Sequence, residues 1–242
     1  MMFDLSKLEV AILCGGLGTR VQPETDNTPK AMLPVGEHPF IAWQLYQLQQ
    51  CGIRRAVLCI GHLGKQIRDF VGTGKQFGIA VQYADDGAEP AGTAGALLRA
   101  RPLLGENFFV QYGDSYLPSL DYADVYRTFL LAGLPALLTL GNNNGSESAS
   151  NAVLADGLVV HYGAHQNARH VDYGLSVLSQ PLLDTIPYDL AVSLTSLYGG
   201  LAAGGKLAGY AVEYPYYEIG SPAGLAQMRE LVAPAGRRRP AR

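Results

Sequence analysis

Several protein classes are excluded by what this sequence lacks. Three cysteines (Cys14, Cys51 and Cys59) in 242 residues are too few for a disulfide scaffold. Cys14 and Cys59 sit in apolar runs and read as small buried hydrophobes. No stretch approaches the ~20 unbroken apolar residues of a membrane span, so no membrane partner is expected. Residues 1–8 lack the charged-then-apolar layout of a signal peptide. Net charge is only −3, which leaves no electrostatic footprint for nucleic acid. The one basic run, 237–239, lies between Pro234 and Pro240 and reads as part of a solvated, disordered tail over 233–242. Together these absences point to the reducing cytoplasm.

What is present suits one globular domain over residues 1–232. The hydrophobic fraction, 48%, is ordinary for such a domain. Residues 8–14 form a short β-branched run ending in Gly15-Gly16, a buried strand feeding a glycine loop. Residues 15–36 are rich in Gly, Thr and Pro and read as a long loop. Ile41, Leu45 and Leu48 recur at helical spacing, and Gly52 stops that helix. Further strands are expected at 56–60, 79–83, 108–112 and 136–140. Helices are expected through Ile67 and Phe70, at 93–100 and at 122–131. The second half is less regular. Residues 142–150 are polar and loop-like, and 152–154 with 158–162 look like a hairpin around Asp156-Gly157. Residues 171–178 and 207–212 read as strands, and Ser221-Pro222 as a helix start. Strands alternating with helices predict an α/β fold, a three-layer αβα sandwich on a mixed, mainly parallel sheet. In such sheets the ligand sits beyond the strand C-termini. The loops after Cys14 and Tyr112 leave from those ends.

The first loop reads Gly15-Gly16-Leu17-Gly18-Thr19-Arg20, then Pro23, Pro29-Lys30 and Pro34. Glycines let backbone N–H groups approach phosphate oxygens. Arg20 offers a forked cation suited to β- and γ-phosphates, and Lys30 a compact second charge. The prolines stiffen the segment that carries them. A dinucleotide-binding G-x-G-x-x-G would need glycine where Val21 stands, and no G-K-[ST] is present. The plain alternative is a glycine turn without a ligand.

The run from Gly15 to Val35, GGLGTRVQPETDNTPKAMLPV, resembles the leading motif of the sugar-1-phosphate nucleotidyltransferases, with Val21 in place of the usual Leu. The resemblance extends over roughly residues 8–232. It implies a Rossmann-like fold, magnesium, and transfer of a nucleoside monophosphate from an NTP to a sugar 1-phosphate with release of pyrophosphate. By the resemblance, Arg20 holds the leaving phosphates and Lys30 contacts the reacting phosphates or the sugar phosphate. Leu13, Gly15, Gly16, Gly18 and Thr19 are implied in nucleotide binding. The segment Glu89 to Leu97 (EPAGTAGAL) is similar to the family loop that packs on the nucleobase, with Ala91 for the usual Leu. It adds Gly92, Thr93 and the nearby Asp86 to the nucleotide set. Asp114, in Gly113-Asp114 after a strand, matches a metal ligand and counts with Arg20 and Lys30 as catalytic. Glu218, in Glu218-Ile219-Gly220-Ser221, stands where the family usually has Asp and is expected to complete the magnesium site. Asn151, Asp172 and Gly174 fall where the family contacts the sugar. A second lysine usual before that segment has no clear counterpart; His165 and Arg169 are the cations there, and the histidines read as ordinary. The Cys-Gly-Gly opening and short build resemble bacterial enzymes that activate heptose- or mannose-type 1-phosphates with GTP, with UTP and CTP as open alternatives.

In this reaction an ionised phosphate oxygen attacks the α-phosphorus, so no general base is needed. Positioning and charge neutralisation do the work. Three other protein classes compete for the same residues. A non-catalytic sugar-nucleotide-binding subunit of this fold typically loses the Arg, Lys or Asp that this chain keeps. A glycosyltransferase would carry a D-x-D motif where Asp114-Ser115-Tyr116 stands. A dehydrogenase lacks its third glycine. A homodimer is compatible with the sequence.

Overall fold

The computed structural model describes residues 4–87, 91–142, 150–188 and 190–233. Its centre is a nine-stranded mixed sheet. Strand β1 (Glu9–Leu13) is followed by the glycine loop, which contains single 3-10 turns at Thr19–Val21 and Lys30–Met32. The loop closes in a small ribbon of β2 (Pro34–Val35) and β3 (His38–Pro39), so residues 15–36 are more ordered than an open loop. Helix α1 (Phe40–Gln50) follows, then β4 (Arg55–Ile60), α2 (Gly64–Val71), β5 (Ala80–Asp85) and α3 (Gly92–Ala100). Strand β6 (Asn107–Tyr112) leads through the two-residue β7 (Ser115–Tyr116) to α4 (Tyr122–Ala132). The second half holds β8 (Ala136–Asn142), β9 (Ala152–Ala155), β10 (Leu158–Tyr162), β11 (His170–Ser179), α5 (Leu194–Ala203), β12 (Leu207–Val212), β13 (Tyr217–Glu218) and α6 (Pro222–Val232).

The sheet order is β5-β4-β1-β6-β11-β8-β12-β10-β9, and β11 and β10 run against the rest. The first four strands are parallel and buried on both faces, which is why they read as continuous apolar runs. In β1, Val10 and Ile12 enter one core and Ala11 the other. In β6, Phe109 faces the first core while Phe108 and Val110 face the second. Helices α1, α2 and α4 cover the first face, and α3 and α5 the second. The β9–β10 turn places Asp156 and Gly157 at positive φ, as a two-residue hairpin requires. Ser221 caps α6 by accepting from the Gly224 N–H at 3.0 Å, with Pro222 in the first turn. A third apolar cluster joins α6 to the glycine loop through Val21, Leu33, Leu225 and Met228. Cys14 and Cys59 are buried, and Cys51 is partly so.

The sheet register sets out the floor of the site. Leu13 is opposite both Cys59 and Tyr112, and Ile60 is opposite Asp85. The residues that leave these strand ends, Gly15, Gly61, Asp86 and Gly113-Asp114, therefore crowd one edge.

Candidate active site

A cavity of about 460 Å³ opens at that edge, within the range of ligand pockets. Leu13, Gly15, Gly16, Asp86, Gly92 and Thr93 line it, as do Lys30 and Asp114. Eight of the residues expected from sequence thus meet around one space. Gly18 and Thr19 form the turn behind it; the Thr25 hydroxyl donates to the Gly18 carbonyl at 3.0 Å and ties that turn down.

The Asp114 turn is held from below. Gln44, fully buried on α1, donates to the carbonyls of Tyr112 (2.9 Å) and Ser115 (2.8 Å). Gln111 donates to the Ser115 carbonyl at 3.1 Å. These glutamines escaped the sequence reading; their signal is a polar side chain on an otherwise apolar buried face. Lys30 Nζ lies 3.1 Å from Asp114 Oδ2, and Arg20 Nη2 lies 3.8 Å from the same oxygen. The Lys30 side chain is 17% exposed and the Arg20 side chain 73%. One cation is held in the wall, and the other reaches over the rim.

The β7–β13 ribbon delivers Glu218. Ser115 pairs with Glu218, and the Ile219 N–H donates to the Asp114 carbonyl at 3.0 Å. A Cβ on Gly220 would come within 2.5 Å of Glu218 Oε2 and 3.0 Å of both Asp114 Oδ2 and Arg20 Nη2. Two carboxylates far apart in sequence, Asp114 and Glu218, thus converge on the space above one glycine. Both are hard oxygen donors of the kind magnesium takes. The Glu218 carboxylate also accepts from the Ser221 hydroxyl at 2.7 Å and from the Gly220 N–H, which fixes its direction and leaves lone pairs free.

The expected nucleobase loop is described from Ala91 onward; Glu89 and Pro90 lie outside the described residues. It is stitched to a segment that sequence reading did not place. The Ala94 N–H donates to the Val192 carbonyl at 2.9 Å, the Val192 N–H to Ala91 at 3.1 Å, and the Leu194 N–H to the Thr93 hydroxyl at 2.7 Å. Gly92 has φ +74°, and a side chain there would strike the Val192 backbone. Ser193 and Thr195, ahead of and within α5, become cavity walls through this docking.

Asn151, Asp172 and Gly174 do not line that cavity. Gly174 packs against Tyr112, whose ring a Cβ there would approach at 2.9 Å, and Asp172 and Asn151 follow from it through hydrogen bonds. Both Asp172 oxygens have partners in the protein: Gly174 N–H at 2.8 Å and the Tyr162 hydroxyl at 2.7 Å. Asn151 Oδ1 accepts from the Asp172 N–H at 2.9 Å. The structure brings the trio together in one hydrogen-bonded network. Burial pushes the Asp172 carboxyl up to about 6, against the hydrogen bonds that pull it down. Burial likewise pushes the Cys14 thiol up to about 12, and it is no nucleophile.

The sequence profile of the nucleotidyl transferase family matches residues 9–143, more than half of the chain. The chain belongs to that family. It is 36% identical over 121 residues to an N-acetylmuramate alpha-1-phosphate uridylyltransferase of Neisseria meningitidis serogroup B, covering 50% of this chain and 52% of that protein. It is 33% identical over 109 residues to a D-glycero-alpha-D-manno-heptose 1-phosphate guanylyltransferase of Aneurinibacillus thermoaerophilus, covering 45% and 46%. The chain thus spans about half the length of the curated relatives it matches. The structure of HddC from Yersinia pseudotuberculosis superposes with a TM-score of 0.77 at 23% identity, over 93% of this chain and 99% of that one. That likeness establishes the Rossmann-like nucleotidyltransferase fold. No helix among the described residues is long and apolar enough to cross a membrane.

Proposed function

We propose that this chain transfers a nucleoside monophosphate from an NTP to a sugar 1-phosphate, releasing pyrophosphate. The observation that carries the reading is the meeting of Lys30, Arg20, Asp114 and Glu218 at the edge of the glycine-walled cavity. Two anionic substrates must meet here, and cations at fixed positions lower that barrier. Asp114 and Glu218 would hold magnesium, which would supply positive charge against the phosphates.

Arg20, largely exposed, gathers the phosphates that leave. Lys30, held in the wall, stays beside the reacting phosphate. Leu13, Gly15, Gly16 and the Gly92-Thr93 turn offer small surfaces and backbone groups to the nucleoside, with Gly18 and Thr19 shaping the phosphate turn. Asn151, Asp172 and Gly174 belong to the sugar side of the site, beside Tyr112, with Gly174 packed closely against that ring. We read the acceptor as a heptose- or mannose-type 1-phosphate, in line with the named activity of the Aneurinibacillus relative. The cytoplasm, where such substrates are made, is the compartment this reading assigns.

The test crosses GTP, ATP, CTP, UTP and dTTP against glucose, mannose, N-acetylglucosamine, N-acetylmuramate and heptose 1-phosphates, with magnesium. Pyrophosphate release only when both substrates are present supports the reading. Silence across the panel from folded protein, with no thermal stabilisation by any NTP, sinks it.

A further inference from the structure

The Asp86 carboxylate is a cavity-lining group with no role in handling phosphate. The residue is 9% exposed. Its N–H donates to the Ile60 carbonyl at 2.8 Å, which fixes it in register just past β5. Its Oδ2 lies against two glycines: a Cβ would come within 2.7 Å of that oxygen at Gly15 and 3.1 Å at Gly61. Only residues without side chains let a carboxylate lie so close to the cavity floor. Among the described residues no donor hydrogen-bonds to that carboxylate; Lys30, the cation in the cavity wall, pairs with Asp114, and Arg99 bears on Asp86 only through its charge. The carboxylate therefore faces the cavity as an acceptor that a ligand's N–H groups can reach.

We infer that Asp86 reads the nucleobase and that the base is guanine. This assignment rests on the nucleotidyl-transfer reading and adds the identity of the NTP to it. An ionised carboxylate only accepts hydrogen bonds, through two oxygens side by side. The base it suits must present two neighbouring donors on one edge. Guanine does so with N1–H and N2–H₂. Uracil and thymine present a single N–H between two carbonyls, which a carboxylate repels. In adenine and cytosine the amino group sits beside a ring nitrogen that is itself an acceptor. The neighbouring walls, Leu13, Gly15, Gly92 and Ala96, are small or apolar and suit the flat face of a purine. Burial raises the Asp86 carboxyl above its usual range; nearby Arg99 opposes that shift and Asp85 adds to it. Two N–H donors from a bound base would bring the carboxyl back toward its ionised form.

The experiment is a set of binding isotherms for GTP, ITP, UTP, CTP, ATP and dTTP with magnesium and no sugar phosphate, on wild type and Asp86→Asn. Wild type is expected to bind GTP about a hundredfold tighter than UTP or dTTP. ITP, which differs from GTP only by the missing N2 amino group, is expected to bind at least about tenfold more weakly than GTP, with no mutation involved. Asp86→Asn keeps the size of the side chain but swaps one acceptor for a donor. It is expected to weaken GTP about a hundredfold and to move the GTP-to-UTP ratio toward or past unity. Equal binding of GTP and ITP, a wild-type preference for UTP or dTTP, or an unchanged preference in Asp86→Asn overturns the guanine assignment while nucleotidyl transfer stands. Binding of no NTP at all removes both.

Discussion

At the residue scale, Asp114 is the hinge of the site's electrostatics. It carries Lys30 at 3.1 Å and Arg20 at 3.8 Å, and it rests on a turn that Gln44 and Gln111 hold through backbone carbonyls alone. Replacing either Lys30 or Asp114 removes charge without unmaking that turn. Lys30→Ala and Asp114→Ala are each expected to lower turnover by more than about a hundredfold with near-wild-type unfolding midpoints. A folded variant of either kind with ordinary turnover would remove that residue from the chemistry. Asp172 predicts something different, because its effect is on stability. Burial raises its folded pKa to about 6, above the ordinary carboxyl range, so the folded protein holds the proton more tightly. That contribution favours the folded state below about pH 4 and is lost as pH rises through about 6. Asp172→Asn is expected to flatten the fall in stability over that window, by on the order of 2 kcal/mol. Urea midpoints measured from pH 4 to 7 check it, and parallel wild-type and variant curves would show that the carboxyl titrates normally.

At the scale of elements, the two-residue ribbon of β7 and β13 decides whether Glu218 can serve a metal. It sets Glu218 opposite Ser115, one residue past Asp114. Glu218→Gln is expected to raise the magnesium concentration for half-maximal activity by about tenfold with little change in melting temperature. A magnesium titration that superposes on wild type would reduce Glu218 to a cap for the loop before α6. The same scale explains which parts could be read early. The Asp156-Gly157 turn, the Ser221-Pro222 cap and the two-faced apolar strands all carry their reasons locally, and they stand where expected. Helix α5 does not. Gly199 and Gly200 interrupt its interior, and it has almost no amphipathic pattern to mark it. Its bearing on the site is non-local as well, since Thr93 receives the Leu194 N–H from 101 residues away. For Asn151 and Asp172 the residues stand out in the sequence, but their hydrogen bonds to each other and to Tyr162 come only from the fold.

At the scale of the whole molecule, the last described helix is a clamp on the first loop. Leu225, Met228 and Val232 of α6 pack with Val21, Leu33 and Val35; Val21 follows Arg20 directly, and Lys30 lies between Val21 and Leu33. Arg229 adds a hydrogen bond to the Pro34 carbonyl at 3.1 Å and an ion pair to Glu24 at 2.8 Å. The exposed ion pair contributes little, so the apolar cluster holds the loop. This packing implies that a cavity under the clamp acts on substrate binding as well as on stability. Leu225→Ala and Leu183→Ala make the same deletion at fully buried positions, the second in the core on the far face of the sheet. Each is expected to cost about 2–5 kcal/mol. Only Leu225→Ala is expected to raise the KM for NTP, by about three- to tenfold, because only it lets the segment carrying both cations shift. Unfolding midpoints establish that the two deletions are comparable, and steady-state kinetics at a temperature where both remain folded separate them. Equal KM values in the two variants would mean that the loop holds its geometry without α6, and that the helix contributes stability alone.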